Sequence, residues 1–234
     1  MSVGKHVLIV RGGWDGHQPI AATDSFLPYL EDQGYTVRIE DSSDAYADAE
    51  AMAKVDLIIQ CNTMTTITGE AVRGLRSAVA AGTGMVGWHG GIADSYRDSS
   101  DYLQLIGGQF ATHPPRTRPE DLEPEDPTLN FRTYTVNIVP EQREHPIVAG
   151  LSDFELTTEQ YWILSDDYND VLATTTLVPL DFEPWNRPIT CPAVWTRSWG
   201  KGRIVVATPG HSFEVLNDSN VRTIIERGIT WATR

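Results

Sequence analysis

The amino-acid sequence predicts an α/β fold in which a mostly parallel central sheet is covered by helices on both faces. Two kinds of observation predict it. Residues 6–10 form a continuous apolar run after His6, and residues 55–59 are apolar except for Asp56, which is typical of strands buried on both faces. Stretches whose apolar residues recur at helical spacing lie between such runs. Strands that alternate with helices in this way indicate βαβ units and hence a parallel sheet.

The first strand, residues 6–10, ends in Arg-Gly-Gly, which indicates a loop at its carboxyl end. Loops in this position line ligand sites in open α/β sheets. A helix is predicted over residues 23–33, because its apolar residues share one side and Gly34 follows as a stop signal. Residues 35–39 then predict the second strand.

Residues 55–59 predict the third strand, and residues 85–88 predict the fourth. Between them, Thr68 is a candidate cap for a helix whose apolar residues share one face until Gly82 ends it. The first hundred residues therefore predict a flavodoxin-like three-layer sandwich.

Residues 112–132 differ in character, because five prolines lie among charged residues there. No sheet interior would tolerate this composition, so we predict a long loop. A loop of this length in a compact domain is commonly a lid or a binding loop, and the alternative is surface decoration.

Beyond that loop, β-rich runs return and a terminal helix follows. Strands are predicted over residues 134–139, 171–176, 193–197 and 203–207, and a helix is predicted over residues 220–232. The last two strands flank a glycine-containing turn and predict a hairpin.

Composition bounds the class of protein. We expect a single domain over residues 1–234. The 32 acidic residues against 18 basic ones give a net charge of −14, which makes nucleic acid and anionic membrane surfaces poor partners. Without an apolar run of about 20 residues or a signal sequence, a cytoplasmic protein is expected. The two cysteines form no CxxC pair and predict reduced thiols.

The segment with the clearest chemistry is residues 87–91, Gly-Trp-His-Gly-Gly, directly after the fourth strand. It has the sequence form of a nucleophile elbow, a tight strand-to-helix turn that exposes one side chain. Its tip is His89, where acyl transfer would need Ser or Cys. An imidazole here indicates acid/base chemistry or metal binding, and a helix amino terminus would keep it neutral.

Other histidines also follow predicted strands. His17 follows the first strand, His211 follows the last, and His113 begins the long loop. Because carboxyl ends of parallel strands meet at one edge, we expect these side chains to converge with His89 in one cleft. The alternative for each histidine is a local role, such as a helix cap.

Glu159 is the candidate carboxylate partner of His89 and His211. It precedes Tyr161, and a carboxylate beside aromatic residues is common in sugar sites. The alternative is a strand-edge acid beside core aromatics. We take His17, His113, Tyr161 and Trp88 as candidate substrate-binding residues.

These motifs together resemble one known family. The resemblance covers nearly the whole chain and rests on His17 and residues 87–91, 107–114, 145–147, 159–161 and 199–211. In this order they are similar to the ThuA-like family, named for trehalose utilisation, within the class I glutamine amidotransferase-like fold. The resemblance implies that His89 takes the position of the amidotransferase cysteine and that His211 falls near its histidine, so glutamine hydrolysis is not expected.

The resemblance further implies bacterial catabolism of disaccharides, related glycosides or keto-sugars. We therefore expect an enzyme acting on a sugar or keto-sugar ligand, with His89, His211 and Glu159 as catalytic residues and as ligands of a divalent metal such as zinc. One alternative is proton transfer without metal, as an isomerase or lyase requires. Others are a noncatalytic sugar-binding or scaffold protein, and an amidase using Cys61 or Cys191. A homodimer is the default expectation.

Overall fold

The computed structural model describes residues 4–121, 126 and 128–234. In this part of the chain there are eleven strands and eight α-helices. The strands are β1 (His6–Gly13), β2 (Thr36–Glu40), β3 (Leu57–Thr63), β4 (Gly84–Trp88), β5 (Gly108–Thr112), β6 (Phe131–Ile138), β7 (Phe154–Glu159), β8 (Trp162–Ser165), β9 (Asp170–Leu177), β10 (Ile189–Trp199) and β11 (Gly202–Ala207). The helices are α1 (Pro19–Asp24), α2 (Leu27–Asp32), α3 (Ala49–Met52), α4 (Gly69–Ala81), α5 (Gly90–Ala93), α6 (Ser100–Ile106), α7 (Phe213–Leu216) and α8 (Ser219–Ala232).

Nine strands form the central sheet in the order β2-β1-β3-β4-β11-β10-β9-β6-β7, and β5 pairs with β8 separately. The five strands from β2 to β11 are parallel, whereas each later neighbour is antiparallel. Because the direction alternates after β11, β9 and β7 again run in the same direction as β4. The carboxyl ends of β1, β4, β11 and β7 therefore lie at the same edge of the sheet.

Helices cover both faces of this sheet. Along β1, Val7 and Ile9 belong to one buried apolar cluster with residues of α1, α2 and α8, while Leu8 and Val10 belong to a second with residues of α4 and α6. A strand buried on both faces needs apolar residues at successive positions, which explains the continuous run in the sequence. The predicted α/β sandwich is confirmed. None of the described helices is long and apolar enough to cross a bilayer.

The helix predicted from Thr68 is confirmed. The Thr68 side chain accepts a hydrogen bond from the Ala71 N–H, and Gly82 ends the helix with φ of 127°. The single helix predicted over residues 23–33 is wrong, since α1 ends at Asp24 and α2 begins at Leu27. Pro28 has no N–H to bond to the carbonyl four residues earlier, which explains the break.

The region predicted as a loop over residues 112–132 contains some regular structure. The strand β5 extends to Thr112, a short 3-10 turn covers Pro119–Asp121, and β6 begins at Phe131. Residues 122–125 and 127 lie outside the described part of the chain. That this region acts as a lid stays a prediction.

Candidate active site

Three histidines and one carboxylate form a compact buried cluster at the carboxyl edge of the sheet. His17, His89, His211 and Glu159 each offer one ligand atom, and these four atoms all lie within 4.8 Å of one another. Each of the four residues is at most 9% exposed. The structure therefore brings together the histidines that the sequence placed after strands, and their functional roles stay a prediction.

The fold explains this convergence. His17 ends a short turn after β1, His89 directly follows β4, and His211 lies four residues beyond β11. Glu159 is the last residue of β7. Because these four strands run in the same direction, their carboxyl ends deliver side chains that are 52 to 194 residues apart to one place, as Glu159–His211 and His17–His211 show.

His89 has an unusual backbone conformation. Its φ is 48° and its ψ is −141°, a region that residues with a Cβ rarely occupy. Its N–H donates to the Ala207 carbonyl at 2.7 Å, which ties the turn to β11. The next residue, Gly90, must lack a side chain because a Cβ there would lie 2.4 Å from His17 Cε1. The elbow thus holds two imidazoles against each other.

Hydrogen bonds define the proton positions on His89. Its Nδ1 lies 2.8 Å from the Thr208 carbonyl oxygen, and because a carbonyl only accepts, Nδ1 carries the proton. A neutral His89 then directs the lone pair of Nε2 at Glu159 Oε2, 3.0 Å away, and at His211 Nδ1, 3.3 Å away. His211 Nδ1 also lies 3.2 Å from Glu159 Oε2. Lone pairs that face each other need a proton or a cation between them.

Burial and hydrogen bonding shift the ionisation of these groups. Burial, followed by the nearby His89 and His211, lowers the pKa of His17 to about 2, so this imidazole is neutral near pH 7. Burial also lowers the pKa of His89, although Glu159 opposes the shift. For Glu159 burial acts to raise the pKa, but the adjacent ring nitrogens of His211 and His89 outweigh it and hold the pKa below its usual value. The cluster therefore combines an ionised carboxylate at Glu159 with neutral imidazoles at His17 and His89.

This set of groups fits a divalent metal. Ligand atoms about 2.0–2.1 Å from a tetrahedral zinc ion are about 3.3 Å from one another. The three distances that join His89 Nε2, His211 Nδ1 and Glu159 Oε2 are 3.0, 3.2 and 3.3 Å. Neutral imidazole and carboxylate are also the ligands that zinc and other first-row divalent ions take. His17 supplies a fourth ring nitrogen, and its Nδ1 lies 3.0 Å from Thr63 Oγ1.

Aromatic rings surround the imidazoles. Tyr161 stacks on His89 with ring centroids 4.0 Å apart and is only 2% exposed. Phe131 meets His211 edge to face at 5.2 Å, and Trp14 meets His17 in the same manner at 4.7 Å. Tyr161, which the sequence suggested as a substrate contact, here orients the His89 ring.

Two further candidates lie outside the cluster. His113 lies at its rim, with Nε2 3.6 Å from Glu159 Oε1 and a side chain 30% exposed. Trp88 is 2% exposed and packs on Phe26 in the hydrophobic core, at 5.0 Å between ring centroids. Alternation along β4 turns the Trp88 side chain into the core, and the substrate contact predicted for it stays a prediction.

Neither cysteine belongs to the histidine cluster. Cys61 and Cys191 are each 2% exposed. Burial raises the pKa of the Cys61 thiol to about 12, which keeps it protonated near pH 7. The arrangement gives the amidase alternative no thiolate nucleophile.

Sequence reasoning missed four residues that shape the site. Thr63 and the Thr208 carbonyl orient imidazoles, while Phe131 and Trp14 contact them. Thr63 is the last residue of β3 and Thr208 directly follows β11, so their place at the carboxyl ends of strands is the one signal that could have suggested them. Phe131 lies in the region predicted as a loop, so the sequence did not indicate that it begins β6.

Comparison with known proteins agrees with this fold. The model of a family described as ThuA, Trehalose utilisation, matches residues 6–232. A protein named as ThuA-like from Bacteroides uniformis is 18% identical with a TM-score of 0.73, and the match covers 99% of this chain and 93% of that one. Another from Parabacteroides merdae is 16% identical with a TM-score of 0.71, covering 98% and 90%. No curated protein sequence matches this chain.

A further structural match is to part of a larger protein. A cold-adapted β-galactosidase from Rahnella sp. R3 is 17% identical with a TM-score of 0.56, and the match covers 98% of this chain but 30% of that one. At such identities these similarities show the fold alone.

Proposed function

The chain belongs to the ThuA family, and from that premise we propose that it is an enzyme of carbohydrate catabolism that acts on a disaccharide, glycoside or keto-sugar. The observation that carries the proposal is the buried cluster of His17, His89, His211 and Glu159, in which lone pairs converge at the spacing of a tetrahedral metal site. Buried polar groups aimed at one another are costly unless a ligand or a proton satisfies them. The family description supports the substrate class.

A divalent metal, when bound by these four residues, would polarise a carbonyl or lower the pKa of a water molecule. The rest of the chemistry belongs to the side chains. His89 presents Nε2 because its Nδ1–H is held by the Thr208 carbonyl. The stacked ring of Tyr161 excludes water from one face of this imidazole.

His113 lies where a proton could enter or leave. Its Nε2 is near Glu159 Oε1, whereas Glu159 Oε2 faces His89 and His211. The imidazole is partly exposed, so it connects the buried carboxylate with solvent. In the metal-free alternative, a lyase or isomerase, His89 and Glu159 would exchange protons next to a carbonyl and His113 would return them to water.

Elemental analysis of untagged protein tests the metal. We expect about one equivalent of Zn, Mn, Fe, Co or Ni in the wild type, its loss in His89→Ala, and its retention in His6→Ala, which removes an exposed histidine at the start of β1. If metal-free wild-type protein converts substrate, the proposed metal site is overturned and the metal-free proton-transfer mechanism remains.

Turnover tests the enzyme. A panel of disaccharides and 3-keto glycosides should be converted by the wild type and by His6→Ala, and not by His89→Ala. Binding without conversion across the panel would overturn the enzymatic function and favour a sugar-binding or scaffold protein. The cytoplasmic location and the homodimer predicted from the sequence stay predictions.

A further inference from the structure

A groove opens beside the cluster where the sheet separates. Among the described residues, β6 and β9 pair through Asn137 with Thr174 and Ile138 with Ala173, and just beyond β6 the Val139 N–H donates to the Leu172 carbonyl. Toward the carboxyl edge, the described pairs join β6 only to β7, and residues 175–177 of β9 only to β10. The gap is a groove of about 660 Å³, within the range of about 300–1,000 Å³ for small-molecule sites. We call it the β6–β9 groove.

The lining of the β6–β9 groove is rich in hydroxyl and amide groups. It includes Phe131, Thr133, Thr135, Gln160 and Thr176. Gln160 is 3% exposed, and its Nε2 donates to Thr175 Oγ1 at 2.7 Å and to the Thr176 carbonyl at 3.1 Å. Within the described part of the chain no group donates to its Oε1, so this oxygen can accept a hydrogen bond from a ligand hydroxyl.

Charge in the groove is balanced. Arg132 donates to Glu183 Oε1 at 2.8 Å, and both side chains are at most 10% exposed. Arg116 forms an ion pair with Asp126. Because each guanidinium already has a carboxylate, the groove offers little attraction to a phosphate or a carboxylate ligand. A neutral ligand with many hydroxyl groups satisfies the lining better.

The groove is continuous with the cluster. Phe131 lines the groove and also meets the His211 ring edge to face. Gln160 follows Glu159 in the chain, and the Tyr134 hydroxyl, also at the groove, donates to the Glu159 carbonyl at 3.3 Å. A molecule that reacts at the cluster can therefore extend past Phe131 into the groove.

We propose that the β6–β9 groove binds the second sugar unit of a disaccharide or glycoside whose reacting unit lies at the histidine cluster. This inference rests on the proposed function for the reacting unit, while the groove itself is argued from its own lining. The aromatic face of Phe131 packs against a sugar ring at the junction, and the threonine and glutamine groups bind its hydroxyls.

Direct binding tests the groove without turnover. We expect wild-type protein to bind trehalose at least tenfold more tightly than glucose in calorimetry and saturation-transfer NMR. Thr133→Trp fills the groove from β6 and should lower trehalose affinity to that of glucose, leaving glucose binding unchanged. Val178→Trp, at an exposed position on the opposite wall, should do the same if Thr133→Trp does not fold.

Thr157→Val is the matched control. It removes the same hydroxyl pair, Thr133 Oγ1 with Thr157 Oγ1 at 2.8 Å, and adds no volume to the groove. It should keep the wild-type preference for trehalose. A preference that survives both tryptophan variants, or no preference in the wild type, would overturn the inference. A groove-dependent preference without any turnover would keep the inference and count against the enzymatic function.

Discussion

The strained backbone at His89 predicts an unusual order of stability between two variants. His89→Ala and His89→Gly both remove the imidazole, so they differ chiefly in backbone freedom. With φ of 48° and ψ of −141°, a residue with a Cβ costs about 1–3 kcal/mol, whereas glycine adopts this conformation freely. Glycine loses about 0.4–1 kcal/mol through the greater entropy of its unfolded chain. We expect His89→Gly to be more stable than His89→Ala by about 1–2 kcal/mol.

Urea unfolding at equilibrium measures this difference. The control is Ser77, an exposed residue within α4, where Ser77→Gly should be less stable than Ser77→Ala by about 1 kcal/mol. The diagnostic result is that the Gly variant is the more stable of the pair at position 89 and the less stable of the pair at position 77. If His89→Ala equals or exceeds His89→Gly in stability, the elbow stores no backbone strain and the reasoning is refuted.

Three further predictions follow from the surroundings of the cluster. Gly90→Ala should displace the His17 ring, since the added Cβ would lie 2.4 Å from His17 Cε1. Metal content and turnover should then fall while the circular dichroism spectrum is retained. Unchanged metal content and unchanged turnover would contradict this packing. In EDTA, the free energy of unfolding should decrease as pH falls below 6.5, because the unfolded chain protonates His17 there and the folded protein does so only near its lowered pKa of about 2. Urea titrations at pH 7 and 5 should show a smaller decrease in His17→Gln, and an equal decrease would contradict the assignment. Burial that raises the pKa of Cys61 to about 12 predicts alkylation by iodoacetamide at pH 8 only after unfolding, and rapid modification of the native protein would contradict it.

The fold was predictable where one local signal dominated. Apolar runs identified β1, β3 and β4, and Thr68 and Gly82 marked the two ends of α4. Short elements such as α6 and β8 were missed, because four to seven residues carry too little periodicity to distinguish them from loops. The break between α1 and α2 required weighing Pro28 against an otherwise helical pattern.

The sequence was enough to name the residues of the candidate site, but not to predict their distances and orientations. Topological reasoning placed His17, His89 and His211 at one edge. It also proposed Glu159 as the partner of His89 and His211, but it could not give the distances between them, because these depend on strand direction across β10, β9 and β6. Nor could it separate Trp88 from His89, since adjacent residues at the end of a strand point to opposite sides and only the packing decides which is in the core.

The contact between His89 and Glu159 also reveals how strongly the sheet is curved. In the order of the sheet, β7 is the fifth strand beyond β4. Neighbouring strands lie about 4.8 Å apart, so a flat sheet would separate these two strands by about 24 Å. The two side chains nevertheless approach to 3.0 Å. The antiparallel half therefore curves toward the carboxyl edge of the parallel half. The distances within the histidine cluster consequently depend on the curvature of the whole sheet.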